Sequence, residues 1–384
     1  MEQGPATADH ERFTRVVALD PLDDVLYQTD DLFALDRERV TQVRFTALSA
    51  AFRRHFDGCA DYRRYADGRG VGPDDIDDPH RLDLIPLVPT SVFKRKELVT
   101  RPLDGRARVC VSSGTQGGRS HIVRDRRTLE RFVGSVDQGG RLLGVDTDRP
   151  GHIFVLGPDT AEAGDLWFSY VLSICDLLLP TSFHVRGGIF RMDELLEALN
   201  DRTAGVRPVV LGPPVLVREL AEVVKDRYGT LDLGSDDGLV ITAGGWKRAA
   251  GSAVPRDELS DLAVQAFALR DRGQVRDCFN MVELNTVLFE CESQVKHIPP
   301  WLRVTARDPA NLAPLPSGVE GTLAFLDALP TSYPGFVLSD DFGIVRYGVA
   351  CACGRTSDTL AVTRRIQTVE ARGCALKMDG TVRR

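Results

Sequence analysis

The sequence predicts an α/β fold with a largely buried sheet, and three observations carry that expectation. Compact apolar runs bounded by glycine or proline occupy residues 151–157, 208–214 and 239–245. Continuous apolar runs of this length are strands buried on both faces. Amphipathic helical patterns separate them, at 192–199 and 215–226, which is the alternation of an α/β architecture. Finally, 384 residues with 43% hydrophobic and 27% charged side chains suffice for one large domain or two.

Taken in order, residues 1–60 carry helical signals. Apolar residues recur at three- and four-residue steps from Leu32 to Leu35, and through Phe45, Leu48 and Phe52. Residues 57–80 are rich in Gly, Asp and Pro and read as a connector. The stretch from Ile85 to Lys94 holds Pro86 and Pro89, which exclude a helix and leave an ordered extended loop with Phe93 buried. A polar, glycine-rich turn spans 110–120, and a helix is predicted over 125–143. Beyond the three central strands, Glu320 to Leu326 reads as another. There is no fixed-period repeat and no low-complexity segment.

Net charge is −7, from 48 basic and 55 acidic residues. That makes no electrostatic case for nucleic acid or an anionic membrane as partner. The start has neither a basic region nor an apolar run, so no secretory signal is read. The apolar stretch near 170–180 contains Asp176 and is too short to span a bilayer. Eight scattered cysteines read as thiols or metal ligands. A cytoplasmic location follows by elimination.

The turn at 110–120 is the centre of the functional reading. Gly114, Gly117 and Gly118 free the backbone to point several N–H groups at one spot, Ser112, Ser113 and Thr115 add hydroxyls, and Arg119 adds charge. A polyphosphate needs these groups from a loop, although a polar surface turn has the same composition. No G-x-x-x-x-G-K-[ST] is present. Ser112 to Gly118 resembles the [ST]-S-G-T-x-G phosphate loop of the adenylate-forming superfamily. The Pro-Thr-Ser-x-Phe-Lys of residues 89–94 and the His-Ile-Pro-Pro-Trp-Leu of residues 297–302 resemble segments of the LuxE-type acyl-protein synthetases.

That resemblance implies roles further along. Gly244 and Gly245, at a strand end, would let adenine approach, and Lys247 would face a phosphate. A strand-to-helix turn with a solvated lysine is the plain alternative. Residues 277–285 resemble the superfamily's Tyr-Gly-x-Thr-Glu stretch, with Phe279 as the aromatic and Glu283 as the acid that holds Mg2+. Asn280 and Val282 depart from the pattern, and Val282 lacks the hydroxyl. Residues 337–343 resemble the Thr-Gly-Asp stretch that binds ribose. Asp341 would accept from both hydroxyls, while Asp340 replaces a glycine.

Cys291 and His297 form a C-x5-H pair, and Cys351 and Cys353 a C-x-C-G-R. Together they can make a tetrahedral Cys3His site for structural Zn2+, and some phenylacetate–CoA ligase-like enzymes carry the same pairs. Buried free thiols are the alternative.

Only 43 residues follow Asp341, so the second, lysine-bearing domain of the superfamily is expected to be reduced. Lys377, Lys247 and Lys94 are candidates for its lysine. Cys374 stands in an Arg-Gly-Cys context similar to the acyl-accepting cysteine of the LuxE-type enzymes, and Arg372 and Lys377 would favour its thiolate. It could equally pack the tail onto the core.

The expected organisation is a helical part over 1–80, an adenylating core over 81–340, and a reduced segment over 341–384. The expected activity is ATP- and Mg2+-dependent activation of a carboxylic acid as its adenylate, with transfer to a thiol. The acceptor would be Cys374, an acyl-carrier protein or CoA, and a reductase or transferase would be a further partner. Arg119 would stabilise developing charge. An acyl- or aryl-CoA ligase, and a non-catalytic nucleotide-binding protein on a degenerate fold, are the alternatives.

Overall fold

The mainly parallel sheet has six strands, seen in a computed structural model that describes residues 20–114, 118–144, 150–246 and 253–365. In spatial order they are Leu288–Phe289, Val275–Phe279, Leu239–Ala243, Arg207–Gly212, Gly151–Val155 and Thr181–Phe183. All neighbours run parallel except the first pair. The chain lays Gly151–Val155 first, steps to Thr181–Phe183 on one side, then reverses and adds the others on the opposite side. Such a reversal opens a crevice at the carboxyl ends of the strands.

The apolar runs behave as expected, because each strand buries both faces. Phe154, Val210 and Val240 pack with Leu195, Leu199, Val217, Leu220 and Ala263 of the helices Met192–Asn200, Pro214–Tyr228 and Arg256–Ala266. Ile153, Val155, Val209, Leu239 and Ile241 point the other way, into a larger core. That alternation is the two-residue period of a strand. The predicted helix after the glycine-rich turn is Arg126–Leu142, capped by the Asp125 carboxylate at Thr128 N.

A second sheet is antiparallel, in the order Lys296–His297, Thr356–Arg365, Phe336–Ala350, Glu320–Asp327 and Leu302–Arg307. Val88–Pro89 joins its long strand, parallel to Val337–Leu338. The helix Arg37–Gly58 packs beside it through Phe52, edge-on to Phe336.

Three local expectations need correction. The stretch at 31–35 is one 3-10 turn, Leu32–Ala34, capped by Asp31. The connector at 57–80 contains a helix, Ala60–Asp67, that buries Tyr62 and Ala66; the glycines that follow it hid a two-turn segment. Its Tyr62 and Tyr65 hydroxyls donate to the Pro86 and Leu87 carbonyls, at 2.9 and 2.8 Å. Finally, 85–94 is not extended throughout. Pro89 is the N-cap of a single helical turn, Thr90–Phe93, because a proline restricts the residue before it and not those after. Phe93 is buried, as expected. Among the described residues no helix is long and apolar enough to cross a membrane.

Candidate active site

The glycine-rich turn closes a hairpin between the strands Arg108–Val111 and His121–Arg124. Its base is locked by Ser112 N to Ser120 O at 3.1 Å and Ser120 N to Ser112 Oγ at 3.0 Å. Gly114 has φ +66°, which glycine adopts without strain. The Arg119 stem lies against it, 2.8 Å from where a Cβ would sit. Ser113 flanks Gly114, and Gly118 abuts Lys94 Cβ at 3.7 Å from its own would-be Cβ. Thr115 and Gly117 lie outside the described residues.

Glu283 sits in a tight turn after Val275–Phe279, with Leu284 N bonded to Met281 O at 2.9 Å. Its side chain is buried, and burial pushes its carboxyl above the usual range. A hydrogen bond from Ser120 and the Arg365 charge pull it down, while Asp340 pushes it up. Thus the hairpin base, the predicted magnesium acid and the aspartate pair meet at one point. Asp340 accepts from Thr90 Oγ1 at 3.0 Å and faces Lys94 Nζ at 3.8 Å. Asp341 is buried, which raises its carboxyl, and Arg365 Nε stands 3.9 Å away.

The sequence signals for these contacts were incomplete. Thr90 and Lys94 come from the 89–94 signature, which gave them no geometry; Ser120 ends the 110–120 turn but was given no role, and nothing near Arg365 marked it. Asp340 takes the place of a glycine and acquires its own job, holding Lys94 beside Gly118.

Gly244 ends the strand Leu239–Ala243 with φ +72°, and a Cβ there would lie 2.9 Å from Phe168 Cε2. Gly245 faces open space. Phe279, one strand over, stacks on Phe325 at 5.9 Å. Lys247 lies outside the described residues, as do Cys374 and Lys377.

The two departures have local explanations. Asn280 Oδ1 accepts from the Trp167 indole at 2.6 Å, and its Nδ2 donates to Thr286 O at 2.8 Å, so the amide clamps the turn that presents Glu283. Val282 is buried in the core, and its carbonyl accepts from Arg124 at 2.6 Å. Position 282 therefore packs inward rather than offering a hydroxyl.

The four predicted metal ligands converge. The Cys291, Cys351 and Cys353 sulfurs and a His297 nitrogen all lie within 4.8 Å of one another. Cys291 Sγ is 3.7 Å from Cys351 Sγ, and Cys353 Sγ is 3.4 Å from His297 Nε2. A tetrahedral zinc site requires about 3.8 Å between thiolates and about 3.6 Å between thiolate and imidazole, so the donor set fits. Ser357 Oγ holds His297 Nδ1 at 2.6 Å, which leaves Nε2 for a metal. Gly354, at φ +88°, turns the chain between the paired cysteines and the strand Thr356–Arg365.

A parallel sheet with a switch point, a serine- and glycine-rich hairpin at its carboxyl edge, and a buried acid facing that hairpin define an adenylate-forming ligase fold. A 2-hydroxyisobutyryl-CoA ligase, solved with 2-HIB-AMP and CoA, superposes with a TM-score of 0.67 at 19% identity, over 86% of this chain and 70% of its own. The family model "Acyl-protein synthetase, LuxE" matches residues 9–382, and the chain belongs to that family. Two relatives are each named "Long-chain-fatty-acid--luciferin-component ligase". The one from Vibrio harveyi is 35% identical over 95% of this chain and 94% of its own. The one from Aliivibrio fischeri is 34% identical over 98% of both. The chain is accordingly an acid–thiol ligase of the acyl-protein synthetase family.

Proposed function

We propose that the substrate is a long-chain fatty acid, that ATP with Mg2+ activates it at the Glu283 site, and that Cys374 accepts the acyl group. The convergence of the 112–120 hairpin, Glu283 and the Asp340–Asp341 pair carries this reading. The names of the two relatives support the acid class.

The acid's carboxylate oxygen attacks the α-phosphorus, and pyrophosphate leaves with the electron pair of the broken P–O bond. The hairpin N–H groups, the Ser112, Ser113 and Thr115 hydroxyls and Arg119 stabilise the phosphate charge, with Gly114, Gly117 and Gly118 allowing close approach. Glu283 would hold Mg2+, which neutralises charge on the phosphates. Gly244 and Gly245 leave room for adenine beside Phe279, Asp341 accepts from the ribose, and Lys247 faces a phosphate. The Cys374 thiolate then attacks the acyl carbon, AMP leaves, and a thioester remains. A reductase, transferase or carrier protein would receive the acyl group.

Chain length supports the acceptor. Cys374 is nine residues beyond Arg365, and Arg365 stands beside Asp341. Nine extended residues reach up to about 30 Å, enough to return a thiol to the adenylate. For the lysine, Lys94 against Gly118 and Asp340 is the candidate among the described residues, with Lys377 and Lys247 as its rivals. The Cys3His cluster would hold Zn2+ as a structural ion, since four protein ligands close the tetrahedron. The proposed organisation is a helical part over 1–80, an adenylating core over 81–340 and a segment over 341–384 that carries Cys351, Cys353 and Cys374.

The test is pyrophosphate release from ATP across fatty and aromatic acids, followed by acyl labelling of the protein. Release with long-chain acids and a hydroxylamine-sensitive label, lost in Cys374→Ser with release retained, is the expected result. A mutant that still labels fully sinks the acceptor assignment. Turnover with CoA and no label would make this an acyl-CoA ligase.

A further inference from the structure

A cavity of about 370 Å3 opens at the opposite end of the parallel sheet from the catalytic hairpin. It lies where Arg207–Gly212, Leu239–Ala243 and Val275–Phe279 begin, so their amino ends face it and their carboxyl ends face the adenylate site. Strands of five or six residues put roughly 15–20 Å between the two ends. Five arginines line it, Arg141, Arg207, Arg270, Arg276 and Arg355, against three acids, Asp237, Asp271 and Glu292.

Two of the arginines face acids outside the lining, Arg141 with Asp137 and Arg355 with Asp31, each at 3.9 Å. Asp237 is engaged by Arg207 and Arg270. Asp271 accepts from Gly273 N at 2.7 Å as the cap of a 3-10 turn. Glu292, Cys291, Glu290 and Asp271 act on Arg276 through charge alone, with no hydrogen bond to it among the described residues. Arg276 is the group left over. It is 6% exposed, and its Nε and Nη1 are buried with no hydrogen-bond partner among the described residues. Arg355 Nε is in the same condition. A buried guanidinium with empty donors is costly unless an acceptor fills the site. Planar, paired N–H donors match the oxygens of a phosphate. The cavity is also within the range of small-ligand sites, which begin near ~300 Å3.

We propose that this pocket is a second, non-catalytic anion site that takes a phosphate group, free or as the monoester of a small molecule, with Arg276 as its central donor. The phosphate oxygens accept from Arg276 and Arg355 at the floor, and Arg270 closes the exposed rim. The site shares the strand Val275–Phe279 with the Phe279–Glu283 turn, but it does not use the catalytic hairpin.

The experiment is calorimetric titration of the intact, metal-loaded protein with inorganic phosphate, chloride being adjusted to hold ionic strength constant. Wild type should bind phosphate saturably, and Arg276→Gln should weaken that binding at least ten-fold. Arg270→Gln, a change on the exposed rim that leaves the buried floor intact, should weaken it two- to five-fold and guards against a misfolded Arg276 variant. Lys94→Ala, at the catalytic end, should bind phosphate here as wild type does. Absence of saturable binding in wild type overturns the proposal, and so does binding that survives Arg276→Gln but falls in Lys94→Ala. Methyl phosphate distinguishes the source: binding as tight as phosphate assigns an esterified group, and weaker binding assigns free phosphate.

Discussion

Replacing Glu283 with Gln should make the protein more stable and nearly inactive. The carboxyl group is buried, and burial together with the Asp340 charge outweighs the Ser120 hydrogen bond, a backbone hydrogen bond and the Arg365 charge that favour its ionised form. Gln keeps the shape and the hydrogen bond and removes the buried charge. Relief of such a functional burden is worth about 0.5–2 kcal/mol. With unfolding entropy of about 2.1 cal/mol/K per residue, each kcal/mol moves the Tm of a chain this long by roughly 1 °C, so urea unfolding is the better readout. The sign of the pH dependence follows from the raised carboxyl. The folded state holds this proton more tightly than the unfolded chain, whose glutamate titrates near ~4.3. The burden is absent below that value, grows as pH rises, and levels off above the folded-state value. The gap between Glu283→Gln and wild type should therefore be smallest at or below about pH 4 and largest above neutrality. Adenylation, read as ATP–pyrophosphate exchange, should fall by about 10²–10³, the usual cost of losing one electrostatic stabiliser. A variant no more stable than wild type at pH 8, or one that keeps exchange within ten-fold, would refute the assignment.

Other consequences are as direct. Gly244→Ala forces a Cβ into a positive-φ position 2.9 Å from Phe168, and urea unfolding should show a loss of about 1–3 kcal/mol, with weaker nucleotide binding by calorimetry. Lys94→Ala should lower exchange at least ten-fold while Thr90→Val, which frees Asp340, lowers it less; Lys377→Ala carrying the larger loss would move the lysine to the tail. Ser357→Ala should weaken zinc retention about 10–100-fold, read by competition with a chelator. Metal analysis should find one zinc per chain, and none in Cys353→Ser.

The parts of the site legible in the sequence were those whose chemistry is local. Ser112 to Gly118, Phe279 with Glu283, and the two cysteine-containing pairs each have a short local spacing, so a linear reading proposes them, and the structure brings the Cys and His donors together. Contacts between distant segments left no such mark. Thr90 meets Asp340 across 250 positions, and Asp340 looked like a lost glycine until Lys94 stood opposite. The same division runs through the fold. Buried parallel strands announce themselves by continuous apolar runs. The strands Phe336–Ala350 and Thr356–Arg365 mix exposed and buried positions and are irregular in register, so their extent could not be read. Arg276 was invisible for a related reason: an arginine at a strand start is ordinary until the structure shows its Nε and Nη1 buried with no hydrogen-bond partner among the described residues.

The long hairpin explains why a metal far from the chemistry should still matter to it. Cys351 and Cys353 lie in its turn, and Arg365 lies at the far end beside Asp341. Ten residues of strand separate them by up to about 33 Å, so a metal there cannot touch the adenylate. What it can set is register. The pairing of Phe336–Ala350 with Thr356–Arg365 shifts twice, at 342–343 and at 346–349, so the strands alone specify alignment weakly. A slip of one residue would turn Arg365 away from Asp341 and reverse the face from which the tail departs. Metal removal should consequently impair labelling of Cys374 more than pyrophosphate release, because the Glu283 turn and the hairpin at 112–120 are held by other strands and lose only the Arg365 charge. The two activities, measured on one preparation before and after partial chelation, separate the ideas. Equal losses would mean that the metal supports the whole fold and has no special hold on the tail.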